Sequence, residues 1–215
     1  MAAGSVRVWD LPTRLVHWAM AALIPWSWWT AHNDQLERHR LSGYLLLGLL
    51  LFRLIWGFAG SETARFAAFV RGPAAIRRYL RGEAPASPGH NPLGALSVLA
   101  LLAALAAQIG LGLFAVDEDG LESGPLSYLV SFDTARSAAA IHHKLFWGLV
   151  ALIALHIAAI AYYVVARKRN LVAPMLTGRG ASEGAEPRIA RWWIAVPAAL
   201  AAGAAAWFVA SGLKI

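Results

Sequence analysis

Residues 142–156, "HHKLFWGLVALIALH", are apolar enough to sit in lipid, yet they open with two histidines and close on a third. An ionisable side chain inside a hydrocarbon layer is costly, and where one occurs it normally faces other protein groups and serves a function. At about 1.5 Å and 100° per residue, the step from His142 to His156 covers about 21 Å and ends about 40° short of four full turns. The two imidazoles therefore share one helix face at two depths. His143 points elsewhere, roughly 140° from His156 by the same count.

The rest of the chain supports a membrane setting. It has 215 residues, 59% of them hydrophobic and 14% charged, and its mean hydropathy of +0.54 is too high for a soluble domain of this length. Ten tryptophans, several near the ends of apolar runs (Trp9, Trp56, Trp192, Trp193), fit the interfacial belts of a bilayer. The sequence contains no cysteine. Disulfides, thiolate metal sites, iron–sulfur clusters and covalent haem attachment are thereby excluded.

Five apolar segments approach the roughly 20 residues needed to cross a bilayer: about 13–31, 39–58, 92–115, 140–166 and 191–212. The first opens with "WDLPTRLVHW", in which Asp10 or Thr13 is placed to cap. No cleavable secretory signal precedes it, so the first span is expected to be retained. The fold class expected is all-α, an integral membrane four-helix bundle with an additional C-terminal transmembrane helix. Residues 1–178 form the bundle, and 179–215 a cytoplasmic linker and the fifth helix.

Loop charge gives the orientation. Of 19 basic residues, 13 fall in the N-terminus, the segment after the second span and the segment after the fourth. The alternate loops carry Asp34, Glu37 and the acidic "DEDGLE". The positive-inside rule places the N-terminus in the cytoplasm. The net charge of +7 then needs no nucleic-acid partner. The acidic stretch beginning at Asp117 reads either as a solvated loop or as a surface that steers a basic partner. Within it "GPLSYLVSF" suggests a short amphipathic helix.

With that topology the histidines sort into two levels, His39 with His142 (or His143) outside and His17 with His156 inside. Each level draws one imidazole from each of two helices, which suits a b-type haem clamped between axial ligands. Gly43, one turn from His39, leaves room for a flat ring. Arg53 stands at the inner level, either to pair with a haem propionate or to snorkel to the interface. His32 and His90 fall in or beside loops and are expected to be solvated or interfacial.

These features together resemble the bacterial cytochrome b561 family, which includes the b-type cytochrome subunits of membrane-bound nickel–iron hydrogenases. The resemblance covers about residues 6–178. It is carried in order by "VWDLPTRLVHW", "HRLSGYLLLGLLLFRLIWGFAGSETARF", "GHNPLGA", "IHHKLFWGLVALIALH" and "NLVAPMLTG". It implies four helices holding two haems b, with His17, His39, His142 and His156 at the ligand positions. The family often has an acidic residue after the outer ligand of the fourth helix, where this chain has His143, so His142 and His143 stay open as alternatives there.

The resemblance further implies electron transfer in the bacterial inner membrane between quinone or quinol and an outer-side partner, either a periplasmic cytochrome c or a dehydrogenase or hydrogenase subunit. A superoxide:quinone oxidoreductase is an alternative within the family. From a different class, a histidine relay that moves protons or a metal ion is weakened by the absence of any acidic residue inside a span.

Overall fold

In a computed structural model, which describes residues 5–83, 89–181 and 186–214, the chain is all-α apart from one two-stranded ladder. In order come β1 (Ser5–Arg7), α1 (Leu11–His32), α2 (Leu36–Ala59), α3 (Phe66–Phe69), α4 (Pro73–Leu80), α5 (Pro92–Phe114), α6 (Phe132–Val165), α7 (Val172–Thr177), β2 (Arg179–Ala181) and α8 (Ala195–Ala210). Among the described residues four segments are long and apolar enough to cross a membrane: α2, α5, α6 and Trp192–Ala210, which is α8 with the turn before it. The fifth C-terminal segment is thus helical and long enough. The first expected span is a helix of 22 residues but is not among the four. Its four tryptophans, two histidines and two threonines lower its hydropathy.

Helix ends follow local chemistry. Asp10 Oδ1 accepts the Thr13 N–H at 2.7 Å, so of the two candidate caps Asp10 is the acceptor and Thr13 the residue served. In "GHNPLGA", Asn91 Oδ1 accepts the Gly94 N–H at 2.7 Å while Pro92 takes the first helical position, where its missing N–H costs nothing. In "NLVAPMLTG", Asn170 Oδ1 accepts the N–H groups of Val172 and Ala173, both at 3.0 Å, and Gly178 ends α7 in the left-handed region at φ +81°. The helix carrying His142 begins earlier than expected, at Phe132, because Ser131 Oγ accepts the Thr134 N–H at 3.3 Å. Of "GPLSYLVSF", only Ser127–Leu129 form a single 3-10 turn. The amphipathic helix expected there is replaced by that turn and the start of α6.

Two compact units interleave along the chain. The first comprises Met1–Val16, Arg53–Ala100 and Ile153–Ala198, the second His17–Phe52, Leu101–Leu152 and Ala199–Ile215. In the first unit β1 pairs antiparallel with β2, Val6 opposite Gly180. The Gly178 carbonyl accepts the Val8 N–H at 2.8 Å and the Trp9 N–H at 3.2 Å. A Cβ at Gly178 would lie 2.9 Å from the Trp9 carbonyl oxygen, so only glycine fits by conformation and by space.

Beneath this ladder lies a buried carboxylate. Asp10 is 4% exposed, and its Oδ2 accepts the Nε1–H of the fully buried Trp56 at 2.9 Å. Thr63 Oγ1 donates to the Val8 carbonyl at 2.6 Å, and Ser61 Oγ accepts the Ala190 N–H at 2.8 Å. The N-terminal segment is thus tied to residues 56–63, and these to Ala190, by buried polar side chains that are costly to leave unpaired.

Asp10→Ala removes two charge-assisted bonds and is expected to cost about 2–4 kcal/mol, while Trp56→Phe should cost about 1–3 kcal/mol by orphaning one carboxylate oxygen. Because both variants break the same bond, the double variant should cost less than the sum of the singles in denaturant unfolding. Strict additivity would show that the bond contributes nothing.

Candidate functional site

The site in the second unit starts from the turn between α1 and α2. Asp34 occupies the left-handed region at φ +56°, a conformation Asp tolerates better than most residues, and the Gln35 N–H bonds back to the Thr30 carbonyl at 2.9 Å. That reversal brings His39 against Ser27. His39 Nδ1 lies 2.9 Å from the Ser27 carbonyl oxygen and 3.1 Å from Ser27 Oγ. A carbonyl only accepts, so Nδ1 carries the proton, and a neutral ring so held would present its lone pair at Nε2.

His142 repeats the arrangement on α6. Its Nδ1 lies 2.8 Å from the Gln108 carbonyl oxygen of α5, whose second lone pair is free of the helix ladder. Gly112, one turn further along α5, permits the approach. A Cβ there would stand 3.0 Å from His142 Cε1 and 3.2 Å from Nδ1. Both histidines are half-buried, whereas His143 is exposed.

The two rings line one cavity of about 380 Å³, together with His143, Trp28, Gly43, Tyr44 and Phe146. Their centroids are 6.1 Å apart and their planes meet at 85°. Two imidazoles on opposite faces of one metal should stand about 6 Å apart, from about 2 Å of metal–nitrogen bond and about 1 Å of ring radius on each side. A Cβ at Gly43 would meet nothing within 4 Å, so open space adjoins α2 here. The cavity size falls in the range of small-molecule sites, about 300–1,000 Å³. These residues therefore fit a flat metal-centred macrocycle with two axial imidazoles.

A small hairpin follows α5 in the same unit, with Val116 bridged to Ser123 and the Gly124 N–H bonded to the Ala115 carbonyl at 2.8 Å. Its Glu122 forms an ion pair with Arg40, another cavity-lining residue. Glu118 pairs with Arg136 at 3.3 Å. Two of the four carboxylates in the acidic stretch are thus engaged within the chain. His32, at the cavity rim, stacks on Trp28 with centroids 5.3 Å apart and planes at 12°.

The other sequence-predicted residues are distributed between the units. His17 belongs to the second, half-buried and edge-on to Trp18 at 5.0 Å. His156 belongs to the first, its Nδ1 3.5 Å from Ser97 Oγ. Arg53, also in the first, is 7% exposed. Its guanidinium sits 5.1 Å from the centre of the Phe66 ring, and Nη1 has no hydrogen-bond partner among the described residues. It is buried, so the snorkelling alternative does not describe it. His90 is half-buried and packs between Trp9 at 4.8 Å and Phe69 at 4.7 Å.

Sequence reasoning did not single out Ser27, Gln108 and Gly112. Gln108 carried a usable signal, being a polar residue inside an apolar span. Among the described residues no group of three or more His, Asp or Glu converges, so a bare metal ion would find too few protein ligands for the usual four-coordinate site.

A sequence profile of the family described as prokaryotic cytochrome b561 matches residues 8–178. A curated relative, "Probable Ni/Fe-hydrogenase B-type cytochrome subunit" from Azotobacter chroococcum mcd 1, is 26% identical over 210 residues, covering 81% of this chain and 88% of that protein. No solved structure matches the chain.

Nitrogen NMR of 15N-histidine-labelled, metal-free protein should find His39 and His142 as the Nδ1–H tautomer. An Nε2–H tautomer at either would contradict the assignment. Gly112→Val, whose added carbons collide with His142, should move the His142 signals and leave those of His39 in place.

Proposed function

Since the chain belongs to the prokaryotic cytochrome b561 family, we propose that it carries electrons across a membrane through two non-covalent haems b, one on His39 and His142, the other on His17 and His156. It is a multi-pass membrane protein of a b-type cytochrome family, and electron transfer is the function that family membership supports. The observation that carries the first haem site is the pair of half-buried imidazoles, 6.1 Å apart across a cavity, with both Nδ1 atoms bonded to backbone carbonyls. The second pair rests on sequence spacing and on the family's ligand positions.

When bound, haem b supplies a one-electron Fe(II)/Fe(III) couple whose potential the protein tunes. The chain's own contribution is positional. The bonds from Nδ1–H to the Ser27 and Gln108 carbonyls fix the ring orientations and raise the basicity of Nε2. Trp28 and Phe146 give the cavity they line an aromatic wall. Arg53, with its orphan Nη1, suits a carboxylate such as a haem propionate.

In this reading residues 1–178 form the diheme unit, and 179–215 supply a linker and the fifth helix. The N-terminus lies in the cytoplasm of a bacterial inner membrane, and α1 spans despite its lower hydropathy. Quinone or quinol exchanges electrons with one haem. A periplasmic redox protein exchanges them with the other, and the hydrogenase subunit named for the relative makes a hydrogenase the first candidate partner.

Purified protein should contain two haems per chain, both extractable by acid–acetone. His39→Ala and His142→Ala should each leave one haem, and the double variant should also leave one. His17→Ala and His156→Ala should remove the other. His143→Ala should keep both, and Gly43→Leu should fold but lose the His39–His142 haem. A wild-type ratio near one would contradict the two-site reading.

Quinol added to the oxidised protein should reduce its haem, as followed by absorbance. Failure of both quinol and quinone to change the redox state in liposomes would remove quinone from the account while leaving the haem sites standing.

A further inference from the structure

Beside the electron-transfer residues, the first unit carries a second feature that the function does not use. Arg77, Arg78 and Arg81 stand on or just beyond α4, and Arg71 precedes it. At 100° per residue the three fall within about 100° of arc, while Ile76, Tyr79 and Leu80 occupy the opposite face. Leu80 is 66% exposed. A short helix with exposed cations on one face and an exposed apolar residue on the other is built to lie in a membrane interface.

A second group of cations joins it at the end of α6. Val164 and Val165 are exposed there, and Arg167, Lys168 and Arg169 follow at once. Lys168 adopts φ +52°, and the Arg169 N–H turns back to the Tyr163 carbonyl at 2.9 Å. The three cations therefore emerge around a single helix end. Tyr79 connects the groups: its hydroxyl bonds that of Tyr163, which also accepts the Asn91 Nδ2–H at 2.8 Å. Burial, then the bond to Tyr163, pushes the Tyr79 phenol up to about 12, so it adds no negative charge at neutral pH.

All seven cations are exposed, and none is in an ion pair among the described residues. Glu83, just past α4, is exposed as well and leaves the patch strongly positive. We propose that this surface binds the phosphate headgroups of anionic phospholipids, with Leu80 and Ile76 set against the acyl boundary. Position and charge both select this occupant. The cations begin where the apolar surface of a membrane helix ends, and each Lys or Arg at that level is drawn to anionic lipid. A soluble polyanion would have no use for the apolar face of α4.

The test is native mass spectrometry of the full haem-loaded chain, released from detergent in the presence of dioleoylphosphatidylglycerol or dioleoylphosphatidylcholine. The anionic lipid should be retained at least about tenfold more tightly, as several cations acting together imply. Arg77→Gln/Arg78→Gln/Arg81→Gln should abolish that preference, as should Arg167→Gln/Lys168→Gln/Arg169→Gln. The Lys triple variant at positions 77, 78 and 81 should keep it, and Arg38→Gln on α2 should leave it unchanged. Equal retention of the two lipids, undiminished preference in both Gln triples, or displacement of the lipid by millimolar inorganic phosphate would overturn the proposal.

Discussion

An imidazole surrounded by apolar helices has two nitrogens to account for, and in the second unit one hydrogen bond decides the use of both. The Ser27 carbonyl takes the Nδ1 proton of His39 and the Gln108 carbonyl that of His142. Each bond removes a buried donor that would otherwise cost stability, turns the ring to a fixed angle, and leaves Nε2 as the only basic atom. The neighbouring features follow from this need. The left-handed turn at Asp34 returns the chain so that Ser27 meets His39, Gly112 lets α5 come close enough for Gln108 to reach His142, and Gly43 leaves open space beside them.

The first unit meets the same problem of burial with a charge. Asp10 is held by one backbone donor and one indole donor, and the N-terminal strand closes over it through the Gly178 carbonyl and the pairing with β2. Nearby in sequence to Trp56, Arg53 retains an unsatisfied Nη1 while its guanidinium rests on Phe66. A buried cation that its own protein does not fully satisfy is expensive to keep. In the proposed reading, the free Nη1 donor meets a carboxylate from outside the polypeptide.

Much of this was legible in the sequence because it follows from periodicity and spacing. The interval between His142 and His156 set the helix face, and the apolar runs located the long helices to within a few residues, apart from the early start of α6. Asp10 was one of two candidate caps read from its place before a proline-led helix, whereas the Asn91 cap shows only in the structure. The β1–β2 ladder was not legible, because three-residue strands from opposite ends of the chain have no local period. The contacts of His90 were not legible either, because Trp9 and Phe69 come from distant segments to pack against its ring. The carbonyls of Ser27 and Gln108 escaped notice for a simpler reason: every residue has one, and only tertiary structure shows which of them meets an imidazole.

The central claim is that His39 and His142 are axial ligands of one iron. Electron paramagnetic resonance of the oxidised, haem-loaded protein tests it most directly. Two neutral imidazoles impose a low-spin ferric state, and rings meeting at 85° should give the strongly anisotropic low-spin signal of perpendicular axial planes. That signal should vanish in His142→Ala and persist in His143→Ala. A high-spin ferric signal from the wild-type protein, or that strongly anisotropic signal left undiminished by loss of His142, would contradict the account.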